Sequence, residues 1–386
     1  MTIGSIKDLI YQHLGLIASA QILIFGEVPL LDMLKTIGDY HIGEDSSLTL
    51  VRRVPNFAAS ASSDFTAKVW DATSGECLKT LTGHRHTVIS VVFSKDGLSA
   101  LTASYDGTAK IWSTSTGKCT KTFDGHVCRV KSAVFSKDEK SVLTSSGDKT
   151  AKIWEVASVE CLKTLRGHTC SVTSAMFSDD ESLVLTASLD ATSKIWNAAT
   201  GECMQTLRGF GAAFAANCSS VVTASYTKTA KIWNADTGRC IQTLREHTCS
   251  VRCAVFSPDG FWILTASADL TAKIWCVLSG VCVQTLRGHS DWLTSAVFSL
   301  DGSLVLTASL DKTAKLWNAS TGSCVCTLIG HTASVTSAVF SADAKLILTA
   351  SLDGSSKMWT PDGMCTKSLT GHNDAVTCAV FCSGGM

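Results

Sequence analysis

Proline is scarce in this 386-residue chain, with four in all against 28 glycines. That ratio excludes long extended linkers and favours many tight turns. Charge is also thin. Asp, Glu, Lys and Arg make up 17% of the residues, below the roughly 25% usual for soluble proteins, and 33 basic side chains balance 33 acidic ones. With no net charge there is no global field to draw the chain to nucleic acid or to an acidic membrane surface. Long apolar runs are missing too: the longest, Leu14 to Gly26, contains Gln21 and falls short of the roughly 18 residues that span a bilayer. Residues 1–30 lack the basic start and small-residue cleavage site of a secretory leader. The 17 cysteines, an odd number, therefore read as free thiols of a soluble protein in a reducing compartment, cytoplasmic or nuclear.

What the chain does have is a period. A Lys-apolar-Trp triplet ends at Trp70, Trp112, Trp154, Trp196, Trp233, Trp275, Trp317 and Trp359, with spacings of 42, 42, 42, 37, 42, 42 and 42. One unit, Gly288 to Ile329, holds four short apolar or alternating runs, LTSAVF, SLVLTAS, TAKLW and SCVCTL. Turn residues separate them, which is hairpin chemistry repeated three times. Each unit is thus expected to be a four-stranded antiparallel sheet. Such a sheet, apolar on both faces, cannot stand alone; a ring of sheets buries each face against a neighbour.

Residues 56–386 resemble the WD40 family, whose repeats of about 40 residues open with Gly-His and close with Trp-Asp. The resemblance implies a mainly β fold, an eight-bladed β-propeller. It also implies one hydrogen-bonded set of His, Ser, Asp and Trp per blade. The matching positions are His84, Ser104, Asp106 and Trp112; His126, Ser146, Asp148 and Trp154; and His168, Ser188, Asp190 and Trp196. The later sets are His247, Ser267, Asp269 and Trp275; His289, Ser309, Asp311 and Trp317; and His331, Ser351, Asp353 and Trp359. His, Ser and Asp also suggest nucleophilic catalysis, but a catalytic group occurs once per site, whereas this one recurs at constant spacing. The sets read as structural, and no catalytic residue is expected. The cysteines that fall once per unit, Cys77 to Cys365, lie on different units without Cys-x-x-Cys spacing. They read as small packing residues rather than metal ligands.

Two units depart from the pattern. Residues 56–82 carry three strands but no Gly-His, and residues 371–382 carry the missing opening strand, so pairing these two pieces should close the ring. His372 would then join Ser62, Asp64 and Trp70. A rival inner strand is SLTLV, Ser47 to Val51. The fifth unit, Gly209 to Arg245, is five residues short; Phe210 stands for the His and Thr227 for the Asp, leaving Ser225 and Trp233. It should have a short channel strand and no hydrogen-bonded anchor.

Residues 1–54 fall outside the repeat. Apolar Ile3, Ile6, Leu9, Ile10 and Leu14 mark one face of a helix capped by Thr2 and stopped at Gly15. A strand, Gln21 to Gly26, follows; then come Leu31, Ile37, a short turn at Asp39-Tyr40, and a strand from Ser46 to Val54. This order resembles ubiquitin from its helix onward, a partial β-grasp segment without the opening hairpin. Ile24 and Val51 match two apolar recognition positions, and no Gly-Gly follows the last strand; Gly384-Gly385 comes after a propeller strand instead. LIYQHL is also similar to the LisH dimerisation helix. A ubiquitin-like module before an eight-bladed propeller is similar to Notchless-type architecture.

No phosphate loop, metal cluster or nucleophile-base pair stands outside the repeat, so neither enzyme activity nor a cofactor or metal is expected. The resemblance implies a protein-interaction scaffold binding other proteins or peptides, with no direct nucleic-acid or membrane contact. A ubiquitin-pathway substrate receptor and a ribosome-assembly factor are the alternatives; against the first, no unit carries Trp-Asp-x-Arg. The loops after Gly-His are mostly small, as in Thr169-Cys170-Ser171. Partner contacts are therefore expected at Arg85, His86 and Arg129, a basic sector across two units, and at Asp291 with Trp292.

Overall fold

The computed structural model describes residues 2–14, 21–25, 28–30, 32, 34–42, 46–52 and 56–382. From Phe57 onward these residues build eight four-stranded antiparallel sheets, numbered here as blades I to VIII by their tryptophans, Trp70 to Trp359. Blade VII is representative: Leu293–Phe298, Leu304–Ser309, Ala314–Asn318 and Cys324–Leu328, inner to outer. Its second strand is buried on both faces, which the run LVLTAS allows, while its outer strand is exposed at Cys324 and Val325 and half-buried at Cys326 and Thr327. The outer strands are free edges. In blade VII the pairing shifts where Trp317 meets Cys324, leaving Val325 as an extra residue. The same bulge recurs beside the tryptophan of every other blade, as in blade II, where Cys119 meets Trp112 and Thr120 is the extra residue. Extra twist of this kind blunts an edge that would otherwise pair with another strand.

Each tryptophan is the main plug between two blades. Trp317 packs on Leu264, Ala272, Ile274 and Leu286 of blade VI, and Trp112 packs on Ala59, Val69 and Leu81 of blade I. The ring closes through Trp70, which meets Leu348, Met358 and Leu369 of blade VIII. Truncating such a side chain to Ala leaves a cavity worth roughly 3–5 kcal/mol. The seam between blades IV and V is the thinnest: six buried members, with Trp233 7% exposed, against ten at the seam between I and II.

The closing strand is Val376–Phe381, which pairs with Phe57–Ser62 in the register Val376↔Ser62 to Phe381↔Ala58. SLTLV does not take that place. Its Thr49, Leu50 and Val51 belong instead to β3 (Thr49–Arg52), which pairs with β1 (Gln21–Phe25); β2 (Val28–Pro29) lies on the other side of β1.

The N-terminal unit is α1 (Ile3–Leu14) with this three-stranded sheet and a 3₁₀ turn at Gly38–Tyr40. Thr2 caps the helix, its Oγ1 accepting the Ser5 amide at 3.1 Å. Ile3, Leu23 and Leu30 form a small core joined by Ile6, Ile10, Tyr40 and Leu48. Leu9 does not follow the expected face; it is 41% exposed, because the small sheet covers only the stripe of Ile3, Ile6 and Ile10. Among the described residues nothing supplies the opening hairpin of a ubiquitin fold. The positions of Gly15, Gly26, Leu31, Val54, Gly384 and Gly385 lie outside the described residues.

Candidate functional site

The Gly-His loops and the Ser-x-Asp turns meet on one face of the ring. In blade II His84 Nδ1 lies 2.8 Å from Asp106 Oδ2, and Nε2 lies 2.7 Å from Thr102 Oγ1. Trp112 Nε1 donates to the same Thr102 oxygen at 2.8 Å. The chain of protons has one consistent direction: indole N–H to Thr, Thr O–H to Nε2, and Nδ1–H to the carboxylate. That direction uses the imidazole with its proton on Nδ1 and Nε2 as the acceptor. Asp106 also accepts the Arg85 and Thr108 amides and the Thr108 hydroxyl.

This geometry corrects the expected hydroxyl. Ser104, Ser146, Ser188, Ser267, Ser309, Ser351 and Ser62 do not bond the His or the Trp. Those bonds go to Thr102, Thr144, Thr186, Thr265, Thr307, Thr349 and Ser60. The reason is cross-strand register: Trp112 stands opposite Ala100, so its indole reaches the diagonal neighbour two residues on, not four. The signal was available in the sequence, because the residue ten before every repeat Trp is Thr or Ser. The serines have another task. Ser104 Oγ donates to the His86 carbonyl and accepts the Asp106 amide, fastening the Gly-His loop to the turn beside it.

Burial and hydrogen bonding pull on these groups in opposite ways. Burial alone would raise the Asp64 carboxyl, but donors from Thr66, the Asn373 amide and His372 outweigh it and hold it at about 2. Asp353 is held at about 2 by the same balance. Burial lowers the basicity of His126, His168, His289, His331 and His372 against the raising effect of their aspartates.

Blade V keeps an anchor, contrary to the expectation of none. Trp233 Nε1 donates to Thr223 Oγ1 at 2.8 Å, and that hydroxyl donates to the Arg208 carbonyl at 2.9 Å in place of an imidazole. Phe210 stacks on Tyr226 with ring centroids 3.7 Å apart and planes at 15°. The inner strand is short, Gly211–Phe214. The side chains of Ser225 and Thr227 bond each other, the Thr227 amide and the Thr229 hydroxyl, while the Ser225 carbonyl accepts the Val251 amide.

Arg129 and Trp292 occupy equivalent places at the inner end of their loops: each carbonyl accepts the amide between Ser and Asp of its own blade, from Gly147 and from Leu310. Most other blades carry Ser, Thr or Ala there. Arg129 lies over the Tyr105 ring at 5.1 Å, and Arg252 over Trp292 at 5.0 Å. Trp292 stays 44% exposed. Arg85 and His86 are exposed; His86 sits between Phe65 and Tyr105, at 5.6 and 5.8 Å. Asp291 Oδ1 accepts the Trp292 amide. The structure thus joins Arg129 and His86 through Tyr105, a residue the sequence reading passed over, and sets Trp292 four blades away.

Elsewhere, a cavity of about 400 Å³ opens between blades VI and VII, lined by Trp262, Val283, Phe298, Ser303 and Asn318. Its signal was Trp262, which stands where Ser99 and Ser141 begin the corresponding strands. Of the eight outer-strand cysteines only Cys282 packs, half-buried against the core cluster of Trp275. Cys77, Cys119, Cys161, Cys203, Cys240, Cys324 and Cys365 are exposed, since no strand covers the rim. Among the described residues no group of His, Cys, Asp and Glu is placed to hold a metal ion, and no helix is long and apolar enough to cross a membrane.

Comparison with known proteins agrees with this geometry. The model of the WD domain, G-beta repeat, matches residues 75–113, 117–155, 159–197, 238–276, 280–318 and 322–360. Nuclear distribution protein PAC1 of Mycosarcoma maydis is 41% identical over 64 residues, 17% of this chain and 14% of that protein. Serine-threonine kinase receptor-associated protein of Gallus gallus is 58% identical over 45 residues, 12% and 13% of the two chains. These matches span only a small part of the relatives' own length. The crystal structure of the computationally designed Ika8 protein superimposes with a TM-score of 0.71 at 27% identity, covering 79% of this chain and 93% of that one. With six repeats matched across more than half of its length, the chain belongs to the WD40 family.

Proposed function

We propose that this chain is a non-catalytic scaffold that holds other proteins or peptides on its loop face. The observation that carries the reading is the pair Arg129 and Trp292, large side chains at ring positions that most other blades fill with small ones. Exposed Trp and Arg are the residue types enriched at binding hot spots. The rigid ring supports the same reading: its His, Asp and Trp side chains are absorbed in internal hydrogen bonds, leaving the loop residues to meet a partner. The N-terminal unit, read as a truncated ubiquitin-like module, supplies a second contact, and the 17 unpaired cysteines fit a cytoplasmic or nuclear setting.

The test is affinity recovery with the immobilised full chain, followed by amide exchange of the recovered complex. Protection confined to the loops at 84–87, 126–129 and 289–292 supports the reading. Protection at the Trp262 cavity, or along the outer strands, moves the site elsewhere.

A further inference from the structure

Resting on that reading, the loop face of blades I to III points to one partner chemistry. Tyr105 lies at its centre. Lys131 Nζ donates to the Tyr105 hydroxyl at 3.1 Å and lies 4.3 Å from the ring centre, while the Arg129 guanidinium covers the same ring at 5.1 Å. Since the phenol oxygen accepts from Lys131, its own proton remains available to donate. Two cations and one O–H donor thus converge on a single spot, and among the described residues no ion pair involves Arg85, Arg129 or Lys131.

The nearby carboxylates do not neutralise this spot. Asp64, Asp106 and Asp148 are turned inward onto His372, His84 and His126. Asp124 shares a cleft with Arg85 and Lys110, and exposed Asp374, on blade I, gives one oxygen to the Ala375 amide. Exposed Lys149 adds a further cation on blade III. Apolar surface flanks the charges: Phe65 is 44% and Val127 is 92% exposed. His86 bridges Phe65 to Tyr105, so aromatic and cationic groups form one continuous strip across three blades.

We infer that this strip is a docking site for an acidic peptide segment of a partner protein, its carboxylates taken by Arg129, Lys131 and the Tyr105 hydroxyl and a neighbouring apolar side chain by Phe65 or Val127. Charge complementarity decides the occupant. A basic segment would face Arg129, Lys131 and Lys149 unscreened.

The experiment uses the full chain and a labelled peptide of glutamates interrupted by one leucine, read by fluorescence anisotropy. Its counterpart with lysines for glutamates and an oligouridylate serve as comparators. The expected result is binding of the glutamate peptide only, weakened as salt is raised. R129E combined with K131E should weaken it roughly tenfold or more, Tyr105→Phe by a smaller factor, and K345E on an exposed turn of blade VIII not at all. Melting curves verify that each variant is folded. Equal binding of the lysine peptide, unchanged affinity in the double reversal, or tighter binding of the oligouridylate overturns the site. A partner recovered through Trp292 but indifferent to R129E and K131E would overturn the acidic site while leaving the scaffold reading intact. Failure of the full chain to retain any partner would overturn the scaffold reading itself.

Discussion

His372 Nδ1 lies 2.8 Å from the Asp64 carboxylate, although 308 residues separate the two in the chain. Ser60 completes the set, bonding His372 Nε2 and Trp70 Nε1, each at 2.8 Å. The last strand therefore does more than fill a gap: it supplies the imidazole and the inner wall of blade I. His372→Ala leaves Asp64 and Ser60 short of a partner, at about 1–3 kcal/mol for each orphaned group. Deletion from Gly371 onward removes Val376 and Ala379 from the seam with blade VIII as well and should lower the denaturation midpoint much further. A deleted chain that unfolds at the wild-type midpoint would show that the ring closes without this strand.

The two hydroxyls of each blade are separable. Thr307→Val leaves both His289 Nε2 and the Trp317 indole unpaired in a fully buried site, and Asp311→Ala orphans His289 along with the Ser290 amide. Each should cost about 1–3 kcal/mol or more in urea denaturation. Ser309→Ala loosens only the bond to the Asp291 carbonyl and the Asp311 amide. In blade V, Thr227→Ala should cost under about 0.5 kcal/mol, while Thr223→Val should cost as much as Thr307→Val, because Trp233 depends on it. Equal losses for Thr307→Val and Ser309→Ala would contradict the assignment.

Much of this was legible in the sequence because a period of 42 residues leaves little freedom: the Trp positions fix the blades, and the orphan opening at His372 fixes the closure. What failed, failed for a geometric reason. Thr and Ser alternate on the second strand, so composition alone cannot say which of Thr102 and Ser104 faces the indole; only the pairing Ala100↔Trp112 does. The Arg208 carbonyl that replaces the missing His of blade V is a backbone group, invisible to any reading of side chains. Tyr105 was passed over because its place between Ser and Asp varies from unit to unit, and its neighbours Arg129 and Lys131 come from the next blade.

Gly209 should tolerate no side chain. A Cβ there would sit 2.6 Å from the Thr223 Cβ and 2.7 Å from the Ala224 oxygen, at φ +144°. Gly302, at φ +70°, meets nothing within 4 Å, so Gly302→Ala carries only the backbone penalty of about 1 kcal/mol. Gly209→Ala should cost clearly more, and it strikes the thinnest seam. Amide exchange of the wild type should be fastest, among the interior strands, at Gly211–Phe214 and Ser220–Ala224. Uniform protection of all eight blades would contradict this.

Acid should weaken the fold in two stages. For His126, His168, His289, His331 and His372 burial holds the folded value below the ordinary 6.5, so below that pH the unfolded chain binds more protons. Stability is complete above pH 6.5 and falls as pH drops, by about 1.4 kcal/mol per pH unit for each proton taken up on unfolding. Asp64 and Asp353, at about 2 against 3.8, contribute fully above 3.8 and lose that contribution as pH falls through 2. Both effects act in the same direction. Urea midpoints measured from pH 8 to pH 3 should be flat, then decline below 6.5; a midpoint unchanged at pH 5 would contradict the neutral, buried imidazoles.

Recovery of a protein partner by the full chain, compared among the wild type, Trp292→Ala and Arg129→Ala with matched melting curves, tests the scaffold reading most directly. Both side chains lie exposed over the loop face, so neither change should disturb the ring. The expected result is folded protein in all three cases and partner recovery reduced severalfold or more in at least one variant, in keeping with the roughly 2 kcal/mol that truncating a hot-spot residue can cost. Undiminished recovery in both variants would place the partner away from the loop face and contradict the proposed function.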